Sequence, residues 1–406
     1  MGRNLFFILI AVLGLGAAVS CEILDNDPDK HAGENDTSIV GLEEVAEILS
    51  LISLNSEHLN EVHDAVTSSS GNGYDEEYTM KDLFSMPGAG VGDVRSKGGE
   101  VYESPLKDQI EEQIRSMFST KSDDPDWKWT DPDDYLDALT SSDIQIYWPY
   151  SEEWDGETMP IITYDPEDGS EVNIGYKFVD DDGFRRVEEI VVDEEMAKEV
   201  PIWVVNRNSD AGYLSIEMLR REDPDWGEGG GNIVVRPSEA LPVKSEEPMK
   251  MLVLKDFIMK RSYDPWFAGA SEFFVKIGYM EDFTASTEAE LMLYNPMVTD
   301  FMIVVKRSQV GLPQNFNAVL MSDWSENSDA CAFMITEDDG GTRTEWTCKA
   351  KVFVSGKSYG LEISLPMNTR DDIVWRGRLA YSWFDRCNDE SWPFGDVELT
   401  FELHEI

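Results

Sequence analysis

Apolar positions recur at helical spacing in the first third of the chain and at strand spacing in the rest. Between Ser38 and Leu54, Ile39, Leu42, Val45, Ala46, Leu49 and Ile52 fall on one face of a 3.6-residue period, which predicts a helix. Ser56 offers an N-cap for a second helix carrying Leu59, Val62 and Val66 on one side. Residues 67–100 are rich in Gly and Ser and predict a loop. Ser104-Pro105 combines a capping side chain with a proline at the first helical position, and Leu106, Ile110, Ile114 and Phe118 then form a stripe. Asp131-Pro132 repeats that start signal before Tyr135, Leu136 and Leu139, with acids placed favourably on the helix dipole. Residues 38–140 therefore read as a mainly helical segment.

From Ile144 the period becomes two. IQIYWPY, MPIITY, VNIGYKF, VEEIVV and PIWVVN are short β-type runs separated by acidic turns, and they predict a small β domain over 141–221. Residues 222–248, with three consecutive glycines and four prolines, read as a linker. Residues 249–406 predict an all-β domain with strands at 251–260, 272–280, 299–306, 316–322, 331–337, 343–354, 360–365, 376–383 and 396–404. In the last of these, Val397, Leu399, Phe401 and Leu403 alternate with polar residues, as in a sandwich with one wet face per sheet. Asp339-Gly340 is a two-residue hairpin signal. The register it implies sets Phe333 opposite Trp346 and Cys331 opposite Cys348, close enough for a disulfide that leaves Cys387 free. The fold class expected is multidomain α+β: a helical segment, a small β-sheet domain and a C-terminal antiparallel β-sandwich.

The extreme N-terminus has its own pattern. Arg3 precedes an unbroken apolar and small-residue run from Leu5 to Val19, too short to span a bilayer and suited to a signal peptide. The run ends at Ala18-Val19-Ser20-Cys21, which resembles the lipobox of bacterial lipoproteins. That resemblance implies a signal peptide over 1–20, a lipid on Cys21, and a membrane contact made through that lipid. Residues 21–37 are acidic and nearly devoid of apolar side chains, so they read as a solvated tether. Acids directly after the cysteine resemble the export signal of surface lipoproteins in some Gram-negative gut bacteria. The order of segments is also similar to that of Gram-negative surface lipoproteins. The localisation these resemblances imply is the cell envelope, on the exposed face of the outer membrane.

A net charge of −48 excludes nucleic acid as a partner, because affinity for phosphates comes from Lys and Arg. It equally disfavours adsorption to anionic lipid, so attachment falls to the acyl chains. Histidine is scarce: His31, His58, His63 and His404 are the whole set. His58 and His63 are five residues apart, on different sides of a helix, and cannot share zinc as an HExxH pair does; both read as solvated. Gly269-Ala-Ser271-Glu-Phe273 lacks the second glycine of a nucleophile elbow. A glycan hydrolase needs only two carboxylates, and Trp266, Trp324 and Trp392 stand in turn-like contexts suited to stacking on sugars.

LVLKDFIMKRSYDPWFAGASEFFVKIG resembles the first strand, loop and second strand of a C2-type sandwich, with Ser271 to Ile277 matching the motif that opens the second strand. Phe384-Asp385-Arg386 and Phe394-Gly395-Asp396 resemble the later metal-binding loop. The resemblance implies Ca2+ held by Asp264 and Glu272 from the first loop and by Asp385, with Asp389 added, from the second. The first loop here is longer than the family's. Together these features point to a lipid-anchored, non-catalytic binding or adhesion protein with a glycan or protein ligand. A carboxylate-pair glycan hydrolase and a calcium-dependent binding domain are the alternatives.

Overall fold

The central strands of the N-terminal sheet, IQIY, IITY and IWVVNR, are buried on both sides because both faces of the sheet are covered there. In the computed structural model the described residues are 40–85, 105–120, 129–181, 184–208, 215, 217–218, 250–280, 283, 285–324, 328–339 and 341–405. The signal peptide, Cys21, the acidic tether and the 222–248 linker lie outside them. Helices α1 (Leu42–Leu51), α2 (Ser56–Gly71), α3 (Met80–Phe84), α4 (Leu106–Thr120) and α5 (Pro132–Thr140) accompany strands β1 (Glu77–Thr79), β2 (Ile144–Tyr147), β3 (Ile161–Tyr164), β4 (Val172–Asp181), β5 (Phe184–Asp193) and β6 (Ile202–Arg207), with α6 (Glu194–Ala197) between the last two. The sheet order is β1-β2-β6-β3-β4-β5, antiparallel except between β3 and β6.

Strand alternation divides this sheet between two cores. Ile144, Ile146, Trp203 and Val205 face the helices and join Leu42, Val45, Leu49, Leu59, Val62, Ile110 and Leu139 in one cluster. Tyr147, Ile202 and Val204 face the other way into a second cluster. The helical segment and the small sheet expected as separate domains thus share a core. The predicted loop over 67–100 contains β1 and α3, which pair with β2 and pack against α5. A three-residue strand leaves no periodic signature in sequence.

Helix ends are closed mainly by side chains. Asn55, one residue before the expected Ser56, caps α2 by accepting from the Glu57 and His58 amides, while His58 Nδ1 accepts from the Asn55 amide. His58 is therefore buried, and His63 packs at 5.1 Å on Trp154 and 5.6 Å on Trp148. The expectation of two solvated histidines is corrected by this packing. Asp131 caps α5 with Pro132 at its first position, as the sequence predicts. At the start of α4, the Leu106 amide donates to Glu61 Oε2 at 2.7 Å, a partner 45 residues away in sequence.

The C-terminal half is β-rich: β7 (Lys250–Met259), β8 (Ser271–Tyr279), β9 (Met297–Val305), β10 (Gln314–Trp324), β11 (Ser328–Glu337), β12 (Arg343–Val354), β13 (Lys357–Asn368), β14 (Asp372–Ala380), β15 (Ser391–Phe394) and β16 (Val397–Glu405). All nine expected strands are present. The expected 376–383 strand stops at Ala380, and Tyr381–Arg386 is helical. One sheet runs β10-β7-β16-β15, and the other β13-β12-β11-β8-β9 with β14 also paired to β11. Leu254, Phe257 and Leu399 from the first sheet and Phe273, Val275, Phe333 and Ile335 from the second fill one core between them, a sandwich-like arrangement.

The hairpin register expected around Asp339-Gly340 is not adopted. β12 meets β11 only at Ser328↔Val352 and Ala330↔Lys351, while β14 occupies the β11 edge from Ala330 to Glu337. β12 instead pairs along its whole length with β13, from Arg343↔Asn368 to Val354↔Lys357. The turn between them is Ser355-Gly356, both at positive φ (49° and 76°), which is the type I′ geometry that closes a two-residue hairpin. Cys331 and Cys348 consequently do not face each other, and Cys331, Cys348 and Cys387 are all free thiols. Cys331 Sγ donates to the Leu379 carbonyl at 3.5 Å.

Candidate metal centre

The loop between β7 and β8 is long because it is a finger inserted into the N-terminal half. Its tip residues Trp266 and Phe267 are fully buried and join Tyr147, Ile161, Val192, Ile202 and Val204 in the second cluster of that half. The two rings lie 3.9 Å apart, and Trp266 Nε1 donates to the Glu171 carbonyl at 3.0 Å. Asn206, completely buried at the end of β6, donates through Nδ2 to the Phe267 and Ala268 carbonyls at 3.0 and 2.7 Å. Asp75 Oδ2 accepts from the Ala270 amide at 2.9 Å. Gly269 holds φ at +134°, and a Cβ there would stand 3.0 Å from Asp75 Oδ2, so both conformation and space favour glycine. Of the three tryptophans expected to stack on sugars, Trp266 serves as this anchor; Trp392 is 38% exposed, and the Trp324 side chain is outside the described residues.

Three acids meet at the base of the finger. Asp264 leaves β7, Glu272 enters β8, and Glu337 ends β11, each with a carboxylate oxygen within 4.8 Å of the other two. Glu272 and Glu337 are buried and Asp264 is half-buried. β11 is fixed against β8 here by Glu337↔Phe273 pairing and by the Asp338 amide donating to the Glu272 carbonyl at 3.0 Å. Asp264 Oδ2 and Glu337 Oε1 are buried without a hydrogen-bond partner. Burial, then the Asp264 carboxylate, drives the Glu337 carboxyl far above the usual range; burial also raises Asp264, against the pull of Glu337 and Arg307. Arg307, 6% exposed, bonds the Asp264 carbonyl and Glu194 Oε1 and makes no hydrogen bond to the three carboxylates. Hard oxygens in excess of local cations are the donor set Ca2+ takes.

The two other acids expected at the metal lie elsewhere. Asp385 pairs with Lys250 at 3.2 Å, at the start of β7, and Asp389 with Lys255 at 2.5 Å. Asp264 follows the opposite end of that ten-residue strand. At about 3.3 Å per residue the Lys250 end is roughly 30 Å from the finger. Both acids are exposed ion-pair partners. Glu337 escaped the sequence reading, although Cys331, Phe333 and Ile335 on alternate positions of the same strand mark its side as the inward one.

A second acid pair reinforces the junction. Glu76, 2% exposed, accepts from Ser151 Oγ at 2.8 Å, and Lys306 Nζ stands 3.6 Å away. Burial, the Glu152 carboxylate and Asp75 nevertheless raise its pKa well above the ordinary 4.5. Burial opposes ionisation of Glu152 too, but hydrogen bonds from Glu76 and Ser308 outweigh it and leave its pKa at about 2. A carboxyl with a raised folded-state pKa contributes stability that is complete below its unfolded value and is lost as pH rises through the folded one. Stability of the protein should therefore decline above about pH 4.5, and Glu76→Gln should flatten that decline. Denaturant melts at several pH values measure this; an unchanged slope in the variant would refute the neutral Glu76.

No protein-family model matches the chain, and no curated protein matches it.

Proposed function

We propose that the protein is a lipid-anchored, surface-exposed envelope protein of the non-catalytic binding class, with a C2-like sandwich that holds a divalent cation, Ca2+, at the base of its finger. Asp264, Glu272 and Glu337 supply its carboxylate ligands. The observation that carries the cation is the pair of buried, unpartnered oxygens, Asp264 Oδ2 and Glu337 Oε1, inside a three-carboxylate cluster. Left without a cation, such a cluster must hold a proton, since neighbouring carboxylates repel when both are ionised. A bound Ca2+ replaces the proton and ties β7, β8 and β11 together at the base of the finger. Calorimetric titration of the full chain with CaCl2 should give one saturable site that Glu337→Gln removes. The absence of heat beyond that of the variant would overturn the cation clasp.

The anchor rests on Arg3, the Leu5–Val19 run and Cys21, followed by acids that keep the tether solvated. No helix among the described residues is long and apolar enough to cross a membrane. Cys21→Ala should abolish acylation and move the protein from the envelope fraction to the soluble fraction. Retention of the variant in the envelope would refute lipid anchoring, independently of the cation result.

A further inference from the structure

A cavity of about 150 Å3 opens on the N-terminal half, between the segment after β2 and the segment joining α6 to β6. Its aromatic lining is Trp148, Tyr150 and Trp154. Trp148 and Trp154 are 5.2 Å apart with their planes at 61°, so they form a corner and not a stack. Tyr150 is held in the left-handed region at φ 59°, a conformation that costs free energy for a bulky residue and must be maintained by its surroundings. Its hydroxyl donates to Glu194 Oε1 at 2.9 Å, which fixes the ring in the cavity wall. The Trp154 indole is fixed likewise, Nε1 donating to the Thr158 carbonyl at 3.0 Å.

The mouth is acidic. Glu153, Asp155 and Glu199 line it against Lys198 alone, and the Lys198 ammonium is engaged by Glu195 at 2.7 Å. Asp155 is locked as a carboxylate: it accepts from the Thr158 hydroxyl and from the Thr158 and Glu157 amides, which bring its pKa down to about 2. Glu153 and Glu199 are exposed at the rim. An anion is repelled by this rim. A cation is attracted by it and is then met by aromatic faces, whose quadrupoles favour positive charge. Size narrows the class further. A cavity of about 150 Å3 is the size that takes up a benzene molecule, so it suits a tetra-alkylammonium head better than the about twelve heavy atoms of a hexose.

We propose that this cavity binds an organic cation through an alkylated ammonium group, with Tyr150 and Trp154 as its aromatic wall, the buried Trp148 backing Trp154, and Glu153 as its counter-charge. Choline titrated into the full-length protein should quench tryptophan emission with saturation. Its neutral isostere 3,3-dimethylbutan-1-ol has the same shape without the charge and should bind at least about tenfold more weakly. Raising the salt should weaken choline and leave the isostere unchanged. Trp154→Ala should lower choline affinity about tenfold or more, and the exposed Glu153→Gln, which cannot disturb the core, about threefold or more. Equal affinity for choline and the isostere would reduce the site to an apolar hole and overturn the proposal. Saturable binding of methyl glucoside with none of choline would overturn it in favour of a sugar, and no binding of either would overturn it outright.

Discussion

Millimolar Ca2+ should raise the melting temperature of the full-length protein by about 5–10 °C, and Glu337→Gln should remove most of that rise. A ligand that binds only the folded state at about a hundredfold excess over its dissociation constant adds about 2.7 kcal/mol. For a chain of this size each kcal/mol moves the melting temperature by about 2–4 °C. Mg2+ at the same concentration should do less, because it demands a small octahedral site and sheds its waters reluctantly. This comparison matters for a chain of net charge −48, since both ions screen self-repulsion equally and only the site distinguishes them. The substituted glutamine keeps the volume of the side chain and can donate its amide to Asp264, so the variant should fold in calcium-free buffer. A rise of the same size in the variant, or with Mg2+, would leave the three carboxylates as a proton-sharing cluster.

The largest loss of stability should follow Trp266→Ala. The ring is fully buried in a cluster supplied by the opposite half, and its Nε1 hydrogen bond to the Glu171 carbonyl goes with it. Truncating a buried tryptophan costs about 3–5 kcal/mol, through lost burial and the cavity left behind. The surroundings here are a poor candidate for collapse, because Tyr147, Ile202 and Val204 are fixed in a sheet packed on its other side by helices. Trp392→Ala provides the contrast: this ring is 38% exposed on β15 and should cost less than about 1 kcal/mol. Denaturant midpoints for the two variants decide the matter. Comparable losses would mean that the finger contributes no more than a surface ring. If the halves are held chiefly by the finger, limited proteolysis of Trp266→Ala should also release a fragment that the parent protein resists yielding.

Much of the local structure was legible because it obeys local rules. The stripe Leu106, Ile110, Ile114 and the Asp131-Pro132 start were found in place, as were the nine expected strands of the C-terminal half, the four-residue β15 being the tenth. Continuous apolar runs such as PIWVV were harder to interpret. They read as strands, but alternation alone could not say that Trp203 and Val205 would meet helices while Ile202 and Val204 would meet a loop from the other half. The hairpin around Asp339-Gly340 failed for a related reason. β12 pairs with β13 on one edge through the Ser355-Gly356 turn, but the edge of β11 from Ala330 to Glu337 went to β14, a strand more than thirty residues on, which no local turn signal announces.

The metal candidates divide along the same line. The strands and turns of both halves, the apolar run ending at Cys21 and the acidic excess are all properties of the linear chain. They depend on composition and on side-chain period, which each segment carries with it. Asp264 and Glu272 belong with them, because they stand at the two ends of one loop and are neighbours by chain connectivity. It took the packed fold to bring Glu337 to that pair, to seat Asp385 and Asp389 elsewhere on Lys250 and Lys255, and to make Trp266 an anchor. These are contacts between residues tens to hundreds of positions apart. They are fixed by which sheet edge each strand finds and which face each loop covers, and neither is encoded in any one segment.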